Sequence, residues 1–124
     1  FEAGPACGFV GTFDTIGGPP ALGNPDFTYR LSGFPSPGLT LLDLGFAGGE
    51  IACGLCTFTN PIVLEYVAPQ TATEVTRTLA IPCQVGLIGQ VLSAQWLLLG
   101  AASTPCGLVP NLNASRRLHA VIAQ

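Results

Sequence analysis

Apolar and polar residues alternate along several short segments of the chain. Phe27, Tyr29 and Leu31, for example, are separated by single polar residues. A two-residue repeat gives a β-strand one buried face and one solvated face. Sixteen Gly and eleven Pro interrupt the sequence. They recur about every eight to twelve residues, a spacing typical of short strands joined by turns. The pattern therefore predicts an all-β protein.

The predicted strands share this alternation or a high content of β-branched residues. They are residues 9–16, 27–32, 39–46, 62–67, 73–81, 91–99 and 117–122. We predict a single-domain antiparallel β-sandwich of about eight strands, of Greek-key, jelly-roll or Ig-like type, with a closed barrel as the alternative. Residues 11–124 form this domain, and residues 1–10 form an extended N-terminal segment that can be exchanged with a neighbouring copy.

Residues 91–99 depart from the alternation because they are apolar at both odd and even positions. Such a strand is either central and covered on both faces, or part of an interface. A helix over residues 85–99 is a further alternative, which Gly86 and Gly89 disfavour.

Charge is scarce in this sequence. Charged residues make up 9% of the chain and apolar residues 48%, whereas about 25% charged residues is usual. The surface is therefore either rich in small polar residues or covered by other copies of the chain. With no Lys, four Arg and a net charge of −3, the chain lacks the clustered cations that bind nucleic acid. No apolar run reaches the roughly 18 residues of a membrane span.

Cysteine content indicates the compartment. Five cysteines in a chain of this length are typical of an oxidising environment, and the absence of Met leads us to expect that a leader has been removed. We therefore predict a secreted or cell-surface protein. The disulfide candidates are Cys7, Cys53, Cys56, Cys83 and Cys106.

The cysteine spacing leaves several pairings open. We hypothesise that Cys7 pairs within the Cys53/Cys56 hairpin and Cys83 with Cys106. The remaining thiol is then either free or cross-linked to a neighbour. A Cys-x-x-Cys motif also occurs in redox and zinc sites, but the βαβ context of the first and the second ligand pair of the second are missing. No cofactor or metal is predicted.

Other chemistry is sparse. His119 is the only histidine, lies in a predicted strand and has no Gly-x-Ser-x-Gly turn to accompany it; we predict that the protein is not an enzyme. Asn113 begins a formal N-glycosylation sequon. Most aromatic side chains fall on the inward face of their strands, which favours a core role over a sugar-binding platform.

Several short motifs occur in a recognisable order. They are a Cys7-Gly8 opening, the Pro-x-Leu-Gly-Asn turn of residues 20–24, Ser32-Gly33, the Leu-rich strand 39–46, Ala94-Gln95-Trp96 and Asn113-Ala114. In this order, over roughly residues 7–123, the chain resembles the secreted β-sandwich module abundant in Planctomycetes-type bacteria. The resemblance implies an exported domain with no catalytic residues to carry over. The additional cysteines depart from that pattern.

Two functions follow as expectations. The first is a structural subunit of an extracellular filament or surface assembly that self-associates by β-strand addition and apolar contacts. The residues expected to contribute are Phe1, Phe9, Val10 and Trp96. The alternative is a non-catalytic surface module that binds polysaccharide or another surface protein.

Overall fold

A computed structural model describes residues 2–4, 6–8, 11–34, 39–59, 61–70, 73–100 and 104–124. Antiparallel strands dominate these residues. They are β1 (Glu2–Gly4), β2 (Thr12–Ile16), β3 (Thr28–Ser32), β4 (Leu39–Phe46), β5 (Ile51–Cys53), β6 (Cys56–Phe58), β7 (Val63–Tyr66), β8 (Glu74–Thr78), β9 (Val91–Leu99), β10 (Leu112–Ala114) and β11 (Arg117–Val121). The all-β prediction is confirmed.

The strands form two main sheets and one separate hairpin. In the large sheet the order is β1-β11-β9-β4-β7, with β10 also paired to β9; the small sheet has the order β2-β3-β8, and β5 pairs with β6 alone. Each main sheet ends in open edges within the described residues, so the barrel alternative is wrong. Val85–Leu87 form only a 3₁₀ turn before β9, and the helical alternative for residues 85–99 is wrong as well.

The main core lies between the two sheets. The even-numbered residues of β4 and β9 face the small sheet, with Leu42 directly opposite Trp96 in the ladder. Tyr29 of β3 and Trp96 are both 0% exposed. The Phe13 ring contacts both of them, at centroid distances of 5.8 and 6.3 Å. A single apolar cluster with members from both sheets defines a sandwich.

The odd-numbered residues of β4 and β9 face the opposite side of the large sheet. The β5–β6 hairpin covers part of this outer face, where Leu97 and Leu41 pack with Cys56 and Phe58 in a second apolar cluster. Strand β9 is therefore covered on both faces, which explains its apolar residues at both parities. The central-strand interpretation of residues 91–99 is confirmed.

Local sequence explains where the small sheet turns. Strand β2 ends at Ile16 and is followed by Gly17, whose φ of 81° lies in the left-handed region that favours glycine. A Cβ at this position would lie 1.8 Å from the Asp26 carbonyl oxygen, so a side chain does not fit there. The connection over residues 17–27 then returns the chain, and β3 pairs with β2 in register, with Phe13 opposite Leu31.

The N-terminal strand belongs to the large sheet. Glu2 pairs with Leu118 and Gly4 with Arg117 of the same chain, and the next described segment is held where Cys7 bridges Ala114. Exchange of residues 1–10 with a neighbouring copy stays a prediction.

Candidate functional site

Two disulfides fix the hairpin to the outer face of the large sheet. Cys7 is bonded to Cys56 and Cys53 to Cys106. The expected link from Cys7 to the hairpin is confirmed, but the pairing of Cys83 with Cys106 is wrong. Cys106 is buried beside the hairpin, whereas Cys83 is an exposed free thiol that contacts Gly23 in a different loop.

A layer of buried polar groups lies between the hairpin segment and β9. The Gln95 side chain accepts a hydrogen bond from the Thr59 N–H at 3.1 Å and donates to the Ser115 carbonyl at 2.9 Å. The Thr59 and Ser93 hydroxyls are 2.9 Å apart. These side chains are essentially inaccessible to solvent. Their mutual bonds offset the cost of burying them and fix the position of the covering segment.

Asp43 is a buried carboxylic acid in the same layer. It lies on the outer face of β4, opposite Gln95 of β9 on one side and Leu64 of β7 on the other. Only 2% of it is exposed, and Oδ1 has no hydrogen-bond partner among the described residues. Burial raises the pKa of this carboxyl to about 7, because the ionised form loses hydration that the protein does not replace.

Strand β7 forms an exposed apolar edge of the large sheet. Among the described strands it pairs only with β4. Its apolar residues and the one preceding it are largely accessible: Ile62 is 65% exposed, Val63 44%, Leu64 54% and Tyr66 55%. Exposed edge strands usually carry Lys, Pro or inward charges that prevent pairing with other chains, and residues 62–66 contain only one of these, Glu65 on the core side. This edge, residues 62–66, is called the β7 edge below.

The ladder geometry shows which backbone groups of the β7 edge are available. Val67 donates its N–H to the Thr40 carbonyl at 3.0 Å. Along an antiparallel strand, residues whose N–H and C=O groups point to one neighbour alternate with residues whose groups point the other way. Val67 is bonded to β4, so in this register the next residue bonded to β4 is Glu65. The backbone groups of Leu64 and Tyr66 therefore face away from β4. They can pair with an added strand.

The single charge on this strand is compensated. Arg77 of β8 donates from Nε to Glu65 Oε1 at 2.8 Å, which links the edges of the two sheets on the core side of β7. Both side chains are about two-fifths exposed, so the pair contributes little to stability. Its importance here is that Glu65 adds no uncompensated charge to the β7 edge.

His119 lies on β11 in a separate cluster. Burial lowers the pKa of His119, the neighbouring Arg117 lowers it further, and Glu50 raises it. Glu50 and Arg117 form an ion pair at 3.3 Å. Hydrogen bonds from the backbone N–H groups of Glu50 itself and of Gly48 lower the pKa of the Glu50 carboxyl, and Arg117 acts in the same direction.

A groove of about 480 Å³ between β2 and β11 brings His119 close to Asp14 and Thr15. The Asp14 carboxylate is bound by the Arg30 guanidinium, with Nε at 2.9 Å from Oδ1. Asp14 is therefore already engaged within the small sheet.

Two residues with predicted roles at the surface are buried in the structure. Trp96 is fully buried between the sheets, so its assignment as an assembly residue is wrong. Asn113 is also 0% exposed and lies within the β10 ladder opposite Leu98, where a glycan does not fit; the glycosylation assignment is wrong in the folded chain. Phe1, Phe9 and Val10 lie outside the described residues.

The β7 edge and Asp43 are not among the residues that the sequence predicts to be functional. The sequence predicts residues 62–67 as a strand, without indicating that this strand is an exposed edge. A signal was present, because apolar residues stand at both parities around the single Glu65. Nothing in the sequence distinguishes Asp43 from the exposed carboxylates, since its burial depends on the strands and hairpin that surround it.

Comparison with known protein families, with curated proteins and with solved structures finds no match to this chain. Within the residues that the structure describes, no helix is long and apolar enough to cross a membrane. The same residues contain no group of three His, Cys, Asp or Glu side chains arranged to hold a metal ion.

Proposed function

We propose that this chain is a secreted structural subunit that self-associates into an extracellular or cell-surface assembly by β-strand addition at the β7 edge. The observation that carries the proposal is the exposed apolar edge strand with outward-facing backbone groups at Leu64 and Tyr66. The two disulfides are typical of an oxidising compartment and support secretion.

The β7 edge is complementary to a second copy of itself. Antiparallel pairing about a two-fold axis at Leu64 places this residue opposite its counterpart in the second copy. The same register places the Ile62 side chain opposite Tyr66, so the outer face of the joint sheet is apolar across the contact. The Ile62 N–H already donates to the Leu44 carbonyl of β4 at 3.0 Å, so the N–H groups that pair the two copies are those of Leu64 and Tyr66. Glu65 then lies opposite Val63, which avoids the like-charge pair that a shift of register would create.

A two-fold contact of this kind closes a dimer, and a filament requires a second, different contact. The loops that carry Leu55 and Leu108 are candidates for it. These two side chains are 89% and 84% exposed, and the Cys53–Cys106 disulfide holds their loops together. We propose that this apolar tip extends the assembly.

The test uses charge at the two-fold axis. Leu64→Arg places two cations opposite each other and is expected to give monomers at concentrations where the unmodified chain associates, as measured by sedimentation velocity. Leu64→Glu is expected to do the same. An equimolar mixture of the two variants is expected to restore association, because the charges at the axis are then opposite.

Val85→Arg is the matched control, since Val85 is 77% exposed and belongs to the 3₁₀ turn before β9 and not to β7. This variant is expected to associate like the unmodified chain. The proposal is refuted by an unmodified chain that stays monomeric at every concentration, or by Leu64→Arg associating as strongly as Val85→Arg.

The alternative, a polysaccharide-binding module, has less support. Flat sugar-binding surfaces need several exposed aromatic rings on one face. Among the described residues, Phe46 and Tyr66 are the exposed aromatics, at 41% and 55%. Phe46 lies opposite Leu92 and Tyr66 opposite Leu41. These positions have opposite parity along β4, so the two rings lie on opposite faces of the sheet.

A further inference from the structure

Asp43 is a buried carboxylic acid on β4, directly beside the β7 edge. It is directly opposite Leu64 and is 2% exposed. An ionised carboxylate in this position has a desolvation cost that only water or a new donor can remove. Its Oδ1 finds no such donor in the described part of the chain.

No cation in the surrounding elements compensates Asp43. Strand β9 and the strands β5 and β6 contain no charged residue, and Asp43 is the only charged residue of β4. On β7, Glu65 points to the opposite face, where it is paired with Arg77. Tyr66 lies on the same face as Asp43. Glu50 precedes β5 and is paired with Arg117.

Of the two strands that pair with β4 at Asp43, β7 is the less costly to release. Strand β4 pairs with β9 over the eight positions 39–46 and with β7 over the four positions 41–44. The β4–β9 pair is central and covered on both sides, whereas β7 is an exposed edge. Local opening of a protein begins at elements with few buried contacts, so ionisation of Asp43 acts first on the β7 edge.

We propose that Asp43 is a proton-operated lock on the β7 edge. The protonated carboxyl keeps β7 paired to β4, whereas ionisation releases β7 from β4 and so removes the ordered edge that self-association uses. The inference rests on the proposed function, since it concerns the regulation of the same surface. It implies that the edge is ordered in mildly acidic conditions and opens as the pH rises. The elevated pKa of Asp43 is consistent with a transition near neutral pH.

The direct test is hydrogen exchange across residues 62–67, measured at N–H groups that are bonded to β4, such as those of Ile62 and Val67, and expressed as protection relative to the intrinsic exchange rate at each pH. Between about pH 5.5 and about pH 8.5, linkage predicts a loss of protection of about 30-fold in the unmodified chain. Asp43→Asn carries no charge at either pH and is expected to lose this dependence. Asp26→Asn, a change at an exposed carboxylate, is expected to keep it.

Two results overturn the lock. One is equal protection of residues 62–67 at both pH values in the unmodified chain, and the other is the same 30-fold loss in Asp43→Asn. Sedimentation velocity of the same proteins separates this inference from the proposed function. If Leu64→Arg abolishes association while Asp43→Asn associates with the same pH dependence as the unmodified chain, the proposed lock is wrong and strand addition stands. If exchange responds as expected but Leu64→Arg associates normally, the proposed function fails.

Discussion

Removal of the Cys53–Cys106 disulfide is expected to destabilise the chain by about 4 kcal/mol. The bond closes a loop with a sequence separation of 53 residues. In the chain-entropy relation, closing a loop of this length removes about 14 cal/mol/K from the unfolded state, or about 4 kcal/mol at 25 °C. The Cys7–Cys56 loop, with a separation of 49, overlaps it only at residues 53–56. The second bond therefore does not shorten the first loop, and the full effect is expected.

The double variant Cys53→Ala/Cys106→Ala is suited to the measurement because alanine leaves no new polar group at the buried position 106. Equilibrium urea unfolding can be followed by the fluorescence of Trp96, the only tryptophan, which is fully buried in the main core. The free energy of unfolding is expected to fall by about 4 kcal/mol, and its dependence on urea to steepen because the unfolded chain becomes more extended.

Cys83→Ala is the control for this experiment. Cys83 is exposed and unbridged, so its replacement is expected to change stability by less than about 0.5 kcal/mol. A loss below about 1 kcal/mol in the double variant would contradict the loop-entropy reasoning. A large loss in Cys83→Ala would instead show that Cys83 forms a bond in the folded protein.

Two further predictions concern the buried polar layer. For Asp43, folding raises the pKa from 3.8 to about 7, so the unmodified chain loses up to about 4 kcal/mol of stability as the pH rises through this interval. Asp43→Asn is expected to abolish that decline, and urea unfolding at several pH values checks it; parallel pH profiles would contradict it. Gln95→Leu keeps the side-chain volume but removes the partners of Thr59 N–H and the Ser115 carbonyl. It is expected to cost about 3 kcal/mol, and a cost below about 1 kcal/mol would show that water replaces the lost bonds.

The secondary structure was largely predictable because its determinants are local. Alternation in residues 27–32 and 39–46 predicts strands that the structure places at Thr28–Ser32 and Leu39–Phe46. Prediction of a strand over residues 73–81 was too long, since β8 ends at Thr78. The short strand β10 was not predicted, and β5 and β6 were predicted only as the Cys53/Cys56 hairpin, without strand bounds. Three residues are too few to establish a two-residue repeat, and these strands depend on the elements they pack against.

The sequence by itself determined the class of the protein: an all-β chain, with a cysteine content that favours disulfides. Side-chain alternation and turn residues act over a few neighbouring positions, so they can be deduced without knowing the fold. Apolarity at both parities of residues 91–99 also correctly indicated a strand covered on two faces.

Only the tertiary structure decided which groups form the candidate site. The choice of Cys53 over Cys83 as the partner of Cys106 depends on where the hairpin folds onto the large sheet. The burial of Asp43 and the exposure of Leu64, which are opposite each other in one ladder, depend on the order of strands in that sheet. Strand order is set by pairing between residues distant in sequence, and local patterns do not contain that information.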